Sequence, residues 1–104
     1  MVRFDVYRHP DAKQRKALPF FISIQSDTLD FLRSTIVVPL VAERVFGPRI
    51  EFLHPVLDVN DHFVVLATNE LVAVEKKLLG SAVANLAVDA STIVSAVDYL
   101  TSGY

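Results

Sequence analysis

The spacing of apolar residues changes once along the chain, and that change limits the folds open to it. Val2, Phe4 and Val6 alternate with Arg3, Asp5 and Tyr7, and Phe20, Ile22 and Ile24 alternate with Phe21, Ser23 and Gln25. A period of two is the signature of strands that bury one face. Only from Asp89 onward does the spacing lengthen, with Ile93, Val97 and Leu100 at helical intervals and Ala96 between them. Strands first and a helix last predict a β-rich α+β fold.

The connections agree with that order. The polar stretch 9–16, bounded by Pro10 and Pro19, reads as a long loop, and the two strands it joins are expected to pair antiparallel. Ser26 and Asp27 end the second strand, and 28–32 forms a turn rich in apolar side chains. A β-branched run over 35–38 predicts a third strand that stops at Pro39 or lies at an edge, because proline cannot donate to a ladder. A short helix is expected over 41–46, closed by Gly47 and Pro48. The segments 56–59 and 63–67 flank Asn60-Asp61, two residues that tolerate left-handed backbone, and so predict a hairpin. A further strand is expected over 71–74, with Gly80 breaking the chain after it. The last helix is expected over 90–101, with Asp89 as N-cap and Gly103 at the C-cap.

With 104 residues the chain is expected to be one domain, 1–104. Its hydrophobic share of 52% exceeds the usual ~45–50%. A short chain leaves much surface uncovered, so this composition predicts that part of the surface is hidden in a homodimer. No cysteine is present, which removes disulfides and zinc–thiolate sites and fits a reducing, cytoplasmic setting. With Arg3 and Asp5 among the first residues, this stretch is not expected to be the apolar core of a leader. The longest uncharged apolar run, 36–42, is far short of the ~18 residues that cross a bilayer, so no membrane partner is expected. The formal net charge of −2 argues against nucleic acid as sole partner. Arg8, Lys13, Arg15 and Lys16 form one local basic cluster, read as a solvated hairpin unless an acidic partner covers it.

No arrangement for catalysis emerges. His9, His54 and His62 lack metal-ligand spacing, the serines lack a nucleophile elbow, and the three glycines stand apart, so no phosphate loop exists. Asp27 and Asp30, close to a turn, read as capping residues. No catalytic residue, metal or cofactor is expected, and the chain is not read as an enzyme.

Three short stretches carry a family likeness. Ile24-Gln25-Ser26-Asp27, Val37-Val38-Pro39-Leu40 and His54-Pro55-Val56, in that order and spacing, resemble the landmarks of CcdB toxins, and 2–7 is similar to the family's first strand. The likeness spans nearly the whole chain. It implies an SH3-like barrel of the CcdB/Kid type with a small accessory sheet and a C-terminal helix. It also implies a homodimer with the helices near the two-fold axis, with Val97 and Leu100 at the dimer interface. Two protein partners follow: DNA gyrase, held through its A subunit on cleaved DNA, and a cognate CcdA-like antitoxin whose disordered tail folds onto the toxin. DNA would be met only indirectly, through the antitoxin, when the pair represses its own operon.

Carried over by position, the gyrase contacts are Thr28 and Leu29 in the turn and Asp98, Thr101, Ser102, Gly103 and Tyr104 at the chain end. The family's usual ending is aromatic-Trp-Gly-Ile; here it is Thr101-Ser102-Gly103-Tyr104. An interface Trp typically carries ~2–4 kcal/mol. Two other readings therefore stand beside gyrase poisoning: a toxin with another target, or one retained only as co-repressor. An endoribonuclease of the MazF/Kid kind, which shares the barrel, is the weaker enzymatic alternative. Those enzymes carry an early Pro-Gly segment, and the single Gly-Pro pair here, Gly47-Pro48, is reversed and in mid-chain. Within the apolar turn, Leu29 is read as a partner contact and Phe31 and Leu32 as a lid over the core.

Overall fold

The computed structural model describes residues 1–103. Seven strands form one antiparallel, barrel-like sheet: β1 (Asp5–Arg8), β2 (Phe20–Ser23), β3 (Ser34–Ala42), β4 (Val56–Val59), β5 (His62–Leu66), β6 (Val72–Glu75) and β7 (Ala84–Asn85). Two helices complete it, α1 (Glu43–Phe46) and α2 (Ala90–Ser102). The strand order is β4-β5-β3-β2-β1-β7, and β6 lies beside β3 off that path. The expected SH3-like α+β barrel is therefore the fold observed. The gap between its two ends is bridged where Asn60 Nδ2 donates to the Val83 carbonyl at 3.3 Å.

β3 organises the sheet. One flank pairs with β2, with Ile22 opposite Val38 and Phe20 opposite Leu40. The other flank takes β6 along its first half, Thr35 opposite Val74, and β5 along its second, Leu40 opposite Leu66. Where a separate smaller sheet was expected beside the barrel, β6 pairs with the first half of β3 and belongs to the same sheet.

The sequence placed the end of this strand at Pro39 or the strand at an edge, but it runs through Pro39 to Ala42 and is paired on both flanks. The reason lies in which way that residue faces. Residues of a strand direct N and O to the same flank and alternate along the chain. The Pro39 carbonyl accepts the Ala67 amide at 3.0 Å, so its missing N–H points to the stretch between β5 and β6, where no ladder bond is required. Proline is thereby tolerated in a central, buried strand.

The first strand is also shorter than its alternation suggests. Phe4 adopts φ 71°, which breaks the extended run, and β1 starts at Asp5. The side chains alternate about the sheet as expected at Val6, Ile22, Val38, Leu40, Leu57, Val64 and Leu66, which meet in one core with Ile93 and Ala96 of α2. Burying one such aliphatic side chain is worth about 1.5–3 kcal/mol. The opposite face was expected to be wet, yet Tyr7, Ser23, Thr35, Val37 and Val65 are buried there as well.

The turns behave largely as their residues require. Asn60 (φ 49°) and Asp61 (φ 71°) close the β4–β5 hairpin in left-handed backbone, the pairing that suits the strands' twist. Helix α1 is one turn, shorter than the 41–46 expected because Val41 and Ala42 stay in β3, and Gly47 (φ 80°) follows it. At α2 the N-cap differs from expectation. Asp89 stands at that position but its side chain accepts no capping bond; instead a tight turn over Ala87–Asp89 leads into the helix, and Asn85 Oδ1 accepts the Ala87 amide at 2.9 Å. The C-cap is as expected: Gly103 is left-handed (φ 79°) and donates its amide to the Tyr99 carbonyl at 2.9 Å. β7, two residues long, had no sequence signal.

Candidate functional site

The site expected from the sequence falls in two places. The first is a tight turn over Asp27–Leu29 after β2. Ser26 caps it, its Oγ accepting the Thr28 amide at 3.3 Å, and Asp27 Oδ1 accepts the Arg3 amide at 2.7 Å. Thr28 and Leu29 are both exposed. Lys76 Nζ binds both the backbone carbonyl and the carboxylate of Asp30, 3.2 Å from the latter, so the turn is fastened to the end of β6. Phe31 stands 79% exposed and Leu32 39%. They are not the lid expected, because the chain has already turned outward at Asp30; together with Leu29 they make an apolar tip in water.

The second place is the end of α2. Ile93 and Ala96 anchor the helix in the core, Val97 is half-buried and Leu100 is 37% exposed. Asp98, Thr101, Ser102 and Gly103 are exposed. Tyr104 lies outside the described residues. Thr101 Oγ1 donates to the Val97 carbonyl at 3.1 Å, which satisfies part of a terminus that has no basic side chain in its last turn. Asp98 near the negative helix end is unfavourable by ~0.3–1 kcal/mol. Phe52, 70% exposed, lies beside this turn, its ring 6.2 Å from that of Tyr99. Phe52 extends the apolar surface beyond the residues the sequence indicated; a lone Phe in a loop gave no periodic signal. No hydrogen bond among the described residues joins turn 27–29 directly to α2.

A third feature was half visible. Arg8, Arg15 and Lys16, from the basic cluster, line an open groove of about 480 Å³ at one end of the barrel. Lys13 does not line it, and Arg44 from α1, distant in sequence, does. Arg44 Nη2 donates to the Lys16 carbonyl at 2.8 Å and Arg15 Nε to the His9 carbonyl at 2.7 Å, which aim the two guanidinium groups. Among the described residues no carboxylate lines the groove, and Phe20 and Phe63 supply apolar surface. None of the four cations forms an ion pair among the described residues.

The histidines occupy structural posts. His54 is buried; its Nδ1 accepts the Ile50 amide at 3.0 Å, so Nε2 carries the proton and donates to Asn69 Oδ1 at 2.8 Å. His62 Nδ1 faces two carbonyls, Val59 and Asn60, at 3.2 and 3.1 Å, and donates. Among the described residues no group of three His, Cys, Asp or Glu side chains is placed to hold a metal ion. No helix among them is long and apolar enough to cross a membrane.

A small antiparallel barrel that ends in an exposed helix, with a second exposed turn and a separate cationic groove, defines a protein built to present surfaces. The family model described as CcdB protein matches residues 3–103, and the chain belongs to the CcdB family. Membership makes it a toxin of the toxin–antitoxin kind.

Proposed function

We propose that this chain binds and poisons DNA gyrase through the A subunit. The observation that carries the reading is the end of α2, where Leu100, Thr101, Ser102 and Gly103 stay exposed beyond the turns that Ile93 and Ala96 anchor in the core. Thr28 and Leu29 supply the second contact. In an isologous dimer with Val97 and Leu100 at the seam, both helix ends lie about one two-fold axis and offer a symmetric patch to a symmetric target. Phe52 beside Tyr99 enlarges the apolar surface available to that seam.

Neutralisation falls to a cognate CcdA-like antitoxin acting in the same cytoplasmic compartment. The groove lined by Arg8, Arg15, Lys16 and Arg44 suits a disordered tail rich in carboxylates, since charge complementarity speeds encounter and fixes register. With the antitoxin bound, the pair would repress its own operon, so that DNA is met through the antitoxin alone.

A second reading is favoured by Ser102, small and polar where the family usually has Trp: the chain serves with its antitoxin as co-repressor and has left gyrase behind. Expression in a gyrase-sensitive host separates the readings. Growth arrest with SOS induction and intact RNA supports poisoning of gyrase. Unimpaired growth supports the co-repressor, and RNA cleavage would overturn both.

A further inference from the structure

The two halves of the proposed gyrase surface share no direct bond, yet one short segment is tied to both. Arg3 and Phe4 precede β1. Their two amides point one way: Arg3 N donates to Asp27 Oδ1 at 2.7 Å and Phe4 N to the Ser23 carbonyl at 2.7 Å. Their two carbonyls point the other way: the Arg3 oxygen accepts Asn85 Nδ2 at 3.0 Å and the Phe4 oxygen accepts the Leu86 amide at 3.0 Å. In an extended strand successive amides would alternate. The left-handed φ of 71° at Phe4 turns them to the same side. A bulky residue persists in such a conformation only where its surroundings over-determine it, and strained residues of this kind cluster at working sites.

Asn85 completes the connection. Its Nδ2 also donates to Asp5 Oδ1 at 2.9 Å, and its Oδ1 accepts the Ala87 amide at 2.9 Å, which sets the turn that becomes α2 at Ala90. A chain of hydrogen bonds linked through the Arg3 backbone therefore runs from the Asp27 carboxylate to the Arg3 amide, across the Arg3 Cα to its carbonyl, and through the Asn85 side chain to the start of the helix. Arg3 Nε donates to the Ile24 carbonyl at 3.0 Å and holds the near end in place. Because α2 has 13 residues, it is about 20 Å long, and a tilt of ~3° at its start displaces its end by ~1 Å.

We propose that Arg3 and Phe4 act as a strap that fixes the turn over Asp27–Leu29 relative to α2, with Asn85 and Asp27 as its positioning residues. The two contact regions then meet a partner as one rigid unit. As a statement about binding, this rests on the gyrase reading; as a statement about the free protein, it does not.

The test uses the full chain, labelled for amide NMR. In N85A the amide resonances of Thr28 and Leu29, which do not touch Asn85, should shift along with that of Ala87. In D27A the Ala87 and Asp89 amides should shift, and D27N, which keeps an acceptor oxygen, should restore them. A merely local role for Asn85 would leave 28–29 unmoved. With a gyrase A-subunit fragment each single variant should bind about tenfold more weakly, and D27A/N85A should lose less than the product of the two, because coupled sites are not additive. Shifts confined to the neighbourhood of each substitution overturn the strap. Losses that multiply overturn its part in binding. If N85A does not fold, D27A against D27N decides from the other end. If the unaltered chain does not bind the fragment, the gyrase reading fails, and the amide shifts still decide the coupling.

Discussion

The rings of Phe52 and Tyr99 lie 6.2 Å apart and 42° from coplanar, joining the segment after α1 to the closing turns of α2. Neither residue belongs to the buried core, and Phe52 faces water over most of its surface. Such pairs contribute about 0.5–1.5 kcal/mol, too little to hold a helix that Ile93 and Ala96 already fasten. Their value is expected at the dimer seam beside Leu100. Phe52→Ala should lower the melting temperature by only a few degrees at high protein concentration, yet raise the dimer dissociation constant about tenfold or more. Sedimentation across a dilution series measures this; an equally tight dimer would place the seam elsewhere.

The seam also predicts that the melting temperature of the unaltered chain rises with its concentration, because association stabilises the folded partner by mass action. Leu100→Glu should remove that dependence. A concentration-independent transition in the unaltered chain would mean that the folded monomer stands alone.

Inside the protein, Ser23 Oγ and Thr35 Oγ1 are 3.0 Å apart and fully buried between β2 and β3. Thr35→Val leaves the serine hydroxyl without its partner and should cost about 1–3 kcal/mol, whereas Ser23→Ala with Thr35→Val should cost less than the single change. Urea unfolding of the unaltered chain, the two single variants and the double variant reads this. A double variant as damaged as the sum of both singles would show that the pair is not the relevant unit.

Among the described residues Tyr7 carries the one marked shift in acidity. Burial, then the neighbouring Asp5 carboxylate, pushes its phenol up to about 12 from 10.0. In the unfolded chain the phenol ionises near its ordinary value while the folded protein keeps its proton. The stabilisation is therefore whole below pH 10 and is lost as pH rises toward 12, by about 1.4 kcal/mol for each pH unit between the two. Ultraviolet titration should show one of the three tyrosines ionising late, and Tyr7→Phe should remove that step and flatten the alkaline loss of stability.

How far the sequence reveals this molecule depends on the range of the forces involved. The β4–β5 hairpin is legible because Asn60-Asp61 carries its own turn chemistry, and α2 because Ile93 and Ala96 repeat at helical spacing. Pro39 misleads, since its tolerance in β3 depends on strands distant in sequence ending beside it. Phe4 misleads likewise: alternation suggests a strand, while bonds to Ser23 and Leu86 impose the turn. Of the candidate site, the exposed last turn of α2 is legible. Arg44 in the basic groove, Phe52 beside the helix and Asn85 behind the strap are not, because each becomes relevant only when the barrel closes.

The groove makes its own prediction. Arg44→Glu places a carboxylate among the cations Arg8, Arg15 and Lys16 and should weaken binding of an acidic antitoxin tail by about 2–5 kcal/mol if the pairs are desolvated, less if they stay wet. Affinity for gyrase should be unchanged. Calorimetry with an antitoxin tail peptide at two salt concentrations checks both, and undiminished binding would move the antitoxin elsewhere.

The central claim is that the end of α2 is the handle by which a partner is held. Titration of a purified gyrase A-subunit fragment with the full chain and with a chain lacking residues 103–104 tests it most directly. Saturable binding by the full chain, weakened at least about tenfold by the truncation while the dimer persists, is the result expected. Equal binding by both proteins would contradict it.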